Sequence, residues 1–349
     1  DGLFEYSDLR LLQGLSASAA LAILNARMAE ALVEQERLKR ELELAAEIQR
    51  SLLPEPRDET FPVHGINHPA RIVSGDFFDF FLLDDGRICF NLGDVSGKGM
   101  NAALLMAKTV SLYRCLGKQT PEPGRLLARI NEEVCETATR GMFVTMAGGL
   151  YDPARGTVRL ANAGHEPPLY HARDGSFTDF PADAPPLGIS PLLDAGGEFP
   201  EIEIDLKGGT LYIFTDGMTE GYLEDGSMLE VEGLKKLLLK NAAVPVIERL
   251  QTILRPIYRE NVVLHDDLTV LAVNDGVAAA NRAAFSGQKP AQVVTPDYPG
   301  ESLLKLHFPS KADRLKLVRA AVGKTAEMCG FSDDSVHDTV IAVDEACQN

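Results

Sequence analysis

From residue 16 to 53 the apolar positions recur at helical spacing, and no Pro or Gly intervenes before Pro54. Leu24, Met28, Ala31, Gln35, Leu38, Leu42, Ala45, Gln49 and Leu52 follow alternating steps of four and three. That is the a/d seam of a heptad repeat, and it predicts a parallel dimeric coiled coil over this stretch. Gln35 and Gln49 interrupt the apolar seam, where a polar side chain sets register at a cost in stability. At 1.5 Å per residue such a helix spans about 55 Å. Pro54 and Pro56 end it, because proline lacks the amide hydrogen and its ring disfavours a helical residue before it.

From residue 61 to about 274 the period changes. Short β-rich runs at 88–92, 143–147, 157–161, 210–214 and 268–273 are punctuated by turn pairs such as Asp85-Gly86, Asp174-Gly175 and Asp225-Gly226. Helical stretches fall at 99–116, 123–139 and 231–257. Strands, then helices, then strands again predict an α+β domain of antiparallel sheets covered by helices. Residues 275–300, rich in Ala, Gly, Pro and polar side chains, read as a linker. A strand at 303–308 and helices at 311–330 and 333–349 follow, too short a segment for an independent core. The expected organisation is a remnant of a preceding domain over 1–15, a signalling helix over 16–55, the main domain over 56–274, the linker over 275–300, and the beginning of a further domain over 301–349.

Composition narrows the function classes. The 349 residues carry 34 Lys and Arg against 51 Asp and Glu, a net charge of −17. That balance argues against nucleic acid and anionic membranes as partners. No apolar run approaches the roughly 18 residues of a membrane span. Cys89, Cys115, Cys135, Cys329 and Cys347 are odd in number and form no CxxC pair. Neither a zinc site nor a disulfide framework is expected, and a cytoplasmic setting fits. The chain starts Asp1-Gly2-Leu3, which reads as a cut within a longer protein.

Four sites place Asp where a strand meets a tight turn: Asp76, Asp94, Asp216 and the pair Asp266/Asp267. Each alone is a common turn residue. Together they are carboxylates that could converge on one rim of a sheet sandwich, where they would repel unless cations neutralised them. Oxygen-only donors suit Mg²⁺ or Mn²⁺, and two such ions activate a water for in-line attack on phosphorus. The segment GDVSGKG at 93–99 brings backbone close to such an ion, but it lacks the spacing of a nucleotide-binding P-loop. Lys98 within it reads as an exposed lysine.

Six segments carry a resemblance. They are AAEIQRSLLP at 45–54, SGDFFD at 74–79, GDVSGKG at 93–99, NAGHEPP at 162–168, FTDGMTE at 214–220 and DDLT at 266–269. In this order they resemble the bacterial branch of metal-dependent, protein phosphatase 2C-like enzymes, the stage II sporulation and sigma-factor-regulator type. The resemblance implies an α-β-β-α sandwich and a serine/threonine phosphoprotein phosphatase with two Mn²⁺ or Mg²⁺ ions between the sheets. Asp76 would bridge the metals, and Asp94 and the Val95 carbonyl would ligate one of them. Asp216 and Asp266 would complete the site, with Asp267 competing for the last position. Arg71 is a candidate phosphate contact, and Asp79 and Glu220 are candidates for the layer behind the ligands. His165 reads as a turn histidine rather than a catalytic one.

The resemblance also implies partners. The substrate would be a phosphorylated anti-sigma-factor antagonist, and the helix at 16–53 would pass a sensor's state to the active site through a homodimer. Residues 11–27 resemble the last helix of a GAF sensor domain. Residues from 303 resemble the start of an anti-sigma-factor-type histidine-kinase-like ATPase, with Glu345 and Asn349 in its N-box and the later Gly-rich boxes missing. A bifunctional phosphatase and kinase switch is the alternative reading.

Overall fold

The structure is a computed structural model that describes residues 6–137, 141–190, 197–259 and 264–276. The chain divides into two compact units, Asp1–Ala291 and Gln292–Asn349. The second unit lies outside the described residues, and with it Glu345, Asn349 and the ATPase-like fragment.

Helix α1 (Tyr6–Leu52) is one continuous element of 47 residues. It starts ten residues earlier than the seam predicts and runs through Gly14. Its upstream seam is open to solvent: Leu24, Met28 and Leu38 are all more than half exposed. The last two turns behave differently. Ala46 is buried against Val73 and Ala103, with Ala45 packed beside it, and Leu52 and Leu53 reach the main core. Gln49 is buried too. Its expected place on a dimer seam is therefore corrected: its amide is spent inside its own domain, on Ser74 and Ala103.

Ten strands build two antiparallel sheets. The first runs β1 (Val63–His68), β10 (Leu268–Asn274), β9 (Thr210–Phe214), β6 (Leu169–His171), β7 (Phe177–Asp179). The second runs β2 (Phe77–Leu82), β3 (Ile88–Val95), β4 (Val144–Asp152), β5 (Thr157–Ala163), β8 (Glu201–Asp205). Alternate side chains point to opposite faces, and the cores follow that rule. Phe90, Leu92, Ile213 and Leu271 fill the space between the sheets. Cys89, Val95, Met146 and Leu150 face the other way, toward α2 (Met100–Gly117) and α3 (Pro123–Thr137). Tyr212, Phe214 and Val270 pack with Met218 of the short α4 (Asp216–Thr219) under α5 (Glu230–Lys240) and α6 (Val246–Leu254). The α-β-β-α sandwich is as expected. No helix among the described residues is long and apolar enough to cross a membrane.

The helix expected over 231–257 is two helices. Pro245 precedes α6 and cannot supply the hydrogen bond that a continuous helix would need there. Arg249, buried, closes the break by donating to the Ala242 and Val244 carbonyls and to the Tyr212 hydroxyl. On the opposite layer, Arg114 of α2 grips both carboxylate oxygens of buried Asp79 of β2 with its Nε and Nη2, which anchors α2 on the sheet.

Candidate metal centre

Strand register explains why the distant acids meet. Phe77 at the start of β2 pairs with Gly93 near the end of β3, and Phe214 at the end of β9 pairs with Val270 near the start of β10. Asp76 precedes β2, Asp94 lies next to the last residue of β3, Asp216 follows β9, and Asp266 and Asp267 precede β10. One rim of the sandwich thus receives all five.

Asp76 is nearly solvent-free at 3 % exposure. Thr269 and Thr215 both donate to its Oδ2, at 2.6 and 2.8 Å. The two donors fix that carboxyl beside Asp94, whose charge acts on it. Gly75 sits behind them. A Cβ there would lie 3.1 Å from the Val95 carbonyl oxygen and 3.2 Å from Asp94 Oδ1, so a side chain would crowd both groups.

The two acids before β10 have different surroundings. Asp267 accepts from the Ala70 amide at 2.7 Å, the Gly75 amide at 2.9 Å and the Ser74 hydroxyl at 2.7 Å. Its oxygens are taken up in tying the 70–75 segment to β10. Asp266 accepts from the Asp267 amide and from Lys98 Nζ at 2.9 Å. Lys98 also donates to the His265 carbonyl. A lysine read as merely exposed is therefore the cation that meets the cluster. Arg71, exposed, lines the same small cleft as Asp94, Lys98, Asp266 and Asp267.

The electrostatics follow from crowding. Burial, then the neighbouring Asp94 charge, drives the Asp76 carboxyl well above the usual carboxylate range. Burial and the Asp216 charge push Asp94 up to about 7. Burial and Asp266 raise Asp216. Like charges held together in a desolvated place disfavour ionisation. Among the described residues, no three His, Cys, Asp or Glu side chains close on a single point. The acids are instead held by hydroxyls, amides and one ammonium. An all-oxygen donor set whose charges are this poorly compensated fits hard divalent cations.

Further residues frame the site. Asn162 brackets the 162–165 turn through the His165 amide and carbonyl. The buried His165 ring contacts Thr145 Oγ1 at 3.0 Å, and Thr145 in turn reaches the Asp94 carbonyl. Burial lowers His165 to about 4, so the ring is neutral where it meets Thr145 of β4. Asp79 faces α2, away from the acids, and does not stand behind the ligands as expected. Glu220 lies beside Asp216, and its amide donates to the Asp216 carbonyl. Glu166 joins them: burial, then Asp216 and Glu220, raise its carboxyl. The sequence pattern alone did not single out Ser74, Thr215, Thr269 or Glu166. Thr215 and Thr269 flank the Asp motifs directly, but their shared target is 139 and 193 residues away.

Comparison with known proteins places this arrangement. The family model for stage II sporulation protein E (SpoIIE) matches residues 84–274. The chain is 32 % identical over 243 residues to the phosphoserine phosphatase RsbU of Bacillus subtilis, covering 68 % of this chain and 71 % of that protein. The fold resembles the SiaA-PP2C domain of Pseudomonas aeruginosa, with a TM-score of 0.60, 20 % identity and coverage of 69 % of this chain and 98 % of that one. It also resembles the structure of the RsbU and RsbW domains of a Mycobacterium tuberculosis protein, with a TM-score of 0.51, 22 % identity and coverage of 84 % and 78 %.

Proposed function

The chain belongs to the family of stage II sporulation protein E, and from that premise we propose that its acidic rim is the dinuclear metal centre of a protein serine phosphatase. The observation that carries the reading is the buried Asp76, crowded by Asp94 and held on one oxygen by Thr215 and Thr269. Asp76, Asp94, the Val95 carbonyl, Asp216 and Asp266 would hold two Mn²⁺ or Mg²⁺ ions. Asp267 is left out of that set because three protein donors already occupy it. Cations bound there supply an activated water and neutralise charge on the phosphoryl oxygens. The chain's own part would be to hold the acids in place by hydroxyls and amides, against the repulsion that only bound cations relieve, and to offer Arg71 to the incoming phosphate. The substrate would be phosphoserine or phosphothreonine on an anti-sigma-factor antagonist.

The test is hydrolysis of p-nitrophenyl phosphate and of a phosphoserine peptide with and without divalent metal. Activity is expected with Mn²⁺ or Mg²⁺ and is expected to vanish with chelator. A rate indifferent to metal overturns the reading.

The same proposal assigns regulation to α1. The exposed seam at Leu24, Met28 and Leu38 would pair with a second copy of the chain and carry a sensor's state toward the rim. The double variant Leu24→Glu and Leu38→Glu is expected to turn a dimer into a monomer by light scattering and to change the phosphatase rate. If mass and rate both stay as they were, the seam has no such role. The kinase half of a bifunctional switch predicts, in a longer protein that carries the Gly-rich boxes, ATP turnover that Glu345→Ala removes.

A further inference from the structure

Beside the acids lies a groove of about 290 Å³ that the metal chemistry does not use. Tyr222, Met228, Ile257 and Leu264 wall it, and Gly217 and Asp266 join it to the metal rim. Tyr222 and Met228 pair across an isolated β-bridge, each 47 % exposed. Tyr222 packs edge-on against His265, ring centres 5.5 Å apart. The wall is also tightly backed. At Gly221 a Cβ would lie 2.8 Å from the Ile257 side chain, so the backbone there and the residues just after α6 are in direct contact. Such backing gives the groove a fixed shape instead of a loose apolar surface. Its border is acidic: Glu220 lines it. Among the described residues Glu220 has no salt-bridge partner, whereas Glu224 nearby is paired with Arg259.

We propose that this groove reads the sequence around the phosphorylated residue: it takes an apolar side chain of the phosphoprotein, and Glu220 favours a basic residue next to it. The inference rests on the phosphatase reading and names its substrate class. Continuity carries it. A phosphoserine whose phosphate sits over Asp216 and Asp266 places its neighbouring residues at the mouth of the groove, because Asp266 belongs to both. An apolar surface continuous with a reacting centre contributes binding energy through the parts of the substrate that do not react. The bordering Glu220 carboxylate repels acidic neighbours and attracts Lys or Arg, so the groove discriminates by charge as well.

The experiment uses the intact chain with saturating Mn²⁺, p-nitrophenyl phosphate as a reference, and phosphoserine peptides varied one position at a time among Leu, Ser, Lys and Glu. At one flanking position Leu is expected to exceed Ser in kcat/KM by about tenfold, the scale of an apolar pocket contact. At an adjacent position Lys is expected to exceed Glu. Met228→Ala and, separately, Tyr222→Ala are expected to shrink the Leu preference to about twofold, through KM, with p-nitrophenyl phosphate turnover unchanged. A spread under about twofold in the native chain overturns the proposal, as does a Leu preference that survives both substitutions. Peptides handled no better than p-nitrophenyl phosphate also overturn it. Failure to hydrolyse p-nitrophenyl phosphate at all overturns the phosphatase reading itself, and is told apart by that.

Discussion

Asp94→Asn is expected to lower phosphoserine hydrolysis by on the order of a hundred- to a thousandfold, the scale on which one charge-stabilising group acts. The same change is expected to make the metal-free protein more resistant to heat at pH 7.5. The two effects have one cause. Asp94 is held at about 7 by burial and by Asp216, far above an unfolded carboxyl near 3.9. Between those values the folded chain binds more protons than the unfolded chain, so stability falls as pH rises. Each tenfold difference in proton affinity between the two states corresponds to about 1.4 kcal/mol. Shared among coupled acids, the loss from pH 5 to pH 8 is on the order of 2 kcal/mol. Asn has no charge to lose, so its melting temperature should be flatter over that range. Added Mn²⁺ should reverse the native trend, because cations bind the deprotonated acids that repulsion disfavours. Lys98→Met gives the opposite metal phenotype: removing the ammonium that holds Asp266 at 2.9 Å should tighten metal binding in calorimetry. Scanning calorimetry of metal-free native and Asp94→Asn protein at pH 5 and pH 8 checks the argument. A native protein equally stable at both values would refute it.

Why Asp94 was legible and its supports were not is a matter of range. The acids announce themselves locally, each beside a turn at a strand end, and the sheet register then brings them together. The α-β-β-α layering is equally local, since β3, β9 and β10 are nearly continuous apolar runs buried on both faces, as strands covered by a second sheet on one side and helices on the other must be. What could not be read depends on contacts made only after folding. Asp266 and Asp267 are adjacent and chemically alike, and only the amides of Ala70 and Gly75 and the Ser74 hydroxyl tell them apart. Strands β6 and β7 have three residues each, too few to establish a period. β8 alternates Glu, Ile, Glu, Ile, Asp and was a readable strand that the turn-based division missed. The break at Pro245 was also visible in sequence, but the continuous apolar pattern of 231–257 masked it. Gln49 is the instructive failure. On heptad spacing it belongs to a seam, and only the docking of α1's last turns on Val73 and Ala103 turns it inward.

That docking gives the second large effect: Gln49→Ala is expected to weaken Mn²⁺ binding by about tenfold, within the range seen when groups that orient metal ligands are lost. Gln49 donates to the Ser74 carbonyl at 2.9 Å and accepts from the Ser74 amide at 3.0 Å. It therefore pairs with one residue on both sides, as a neighbouring strand would. Ser74 in turn donates its hydroxyl to Asp267 and accepts from the Asp76 amide. One side chain on α1 thus reaches Asp76, a proposed metal ligand, through a single residue. Alanine would leave the Ser74 amide and carbonyl buried without partners, a loss of about 1–3 kcal/mol. The segment carrying Asp76 would relax, with the acids themselves unchanged. This distinguishes the variant from Asp94→Asn: at high Mn²⁺ its turnover should return to near the native value, because the ligands are displaced, not deleted. The measurement is a Mn²⁺ titration of activity alongside calorimetric metal binding. A native metal affinity in Gln49→Ala would break the proposed link from the helix to the rim. Weak binding with turnover that metal restores would mean that any movement of α1, whatever drives it from upstream, acts on catalysis through the place of Asp76.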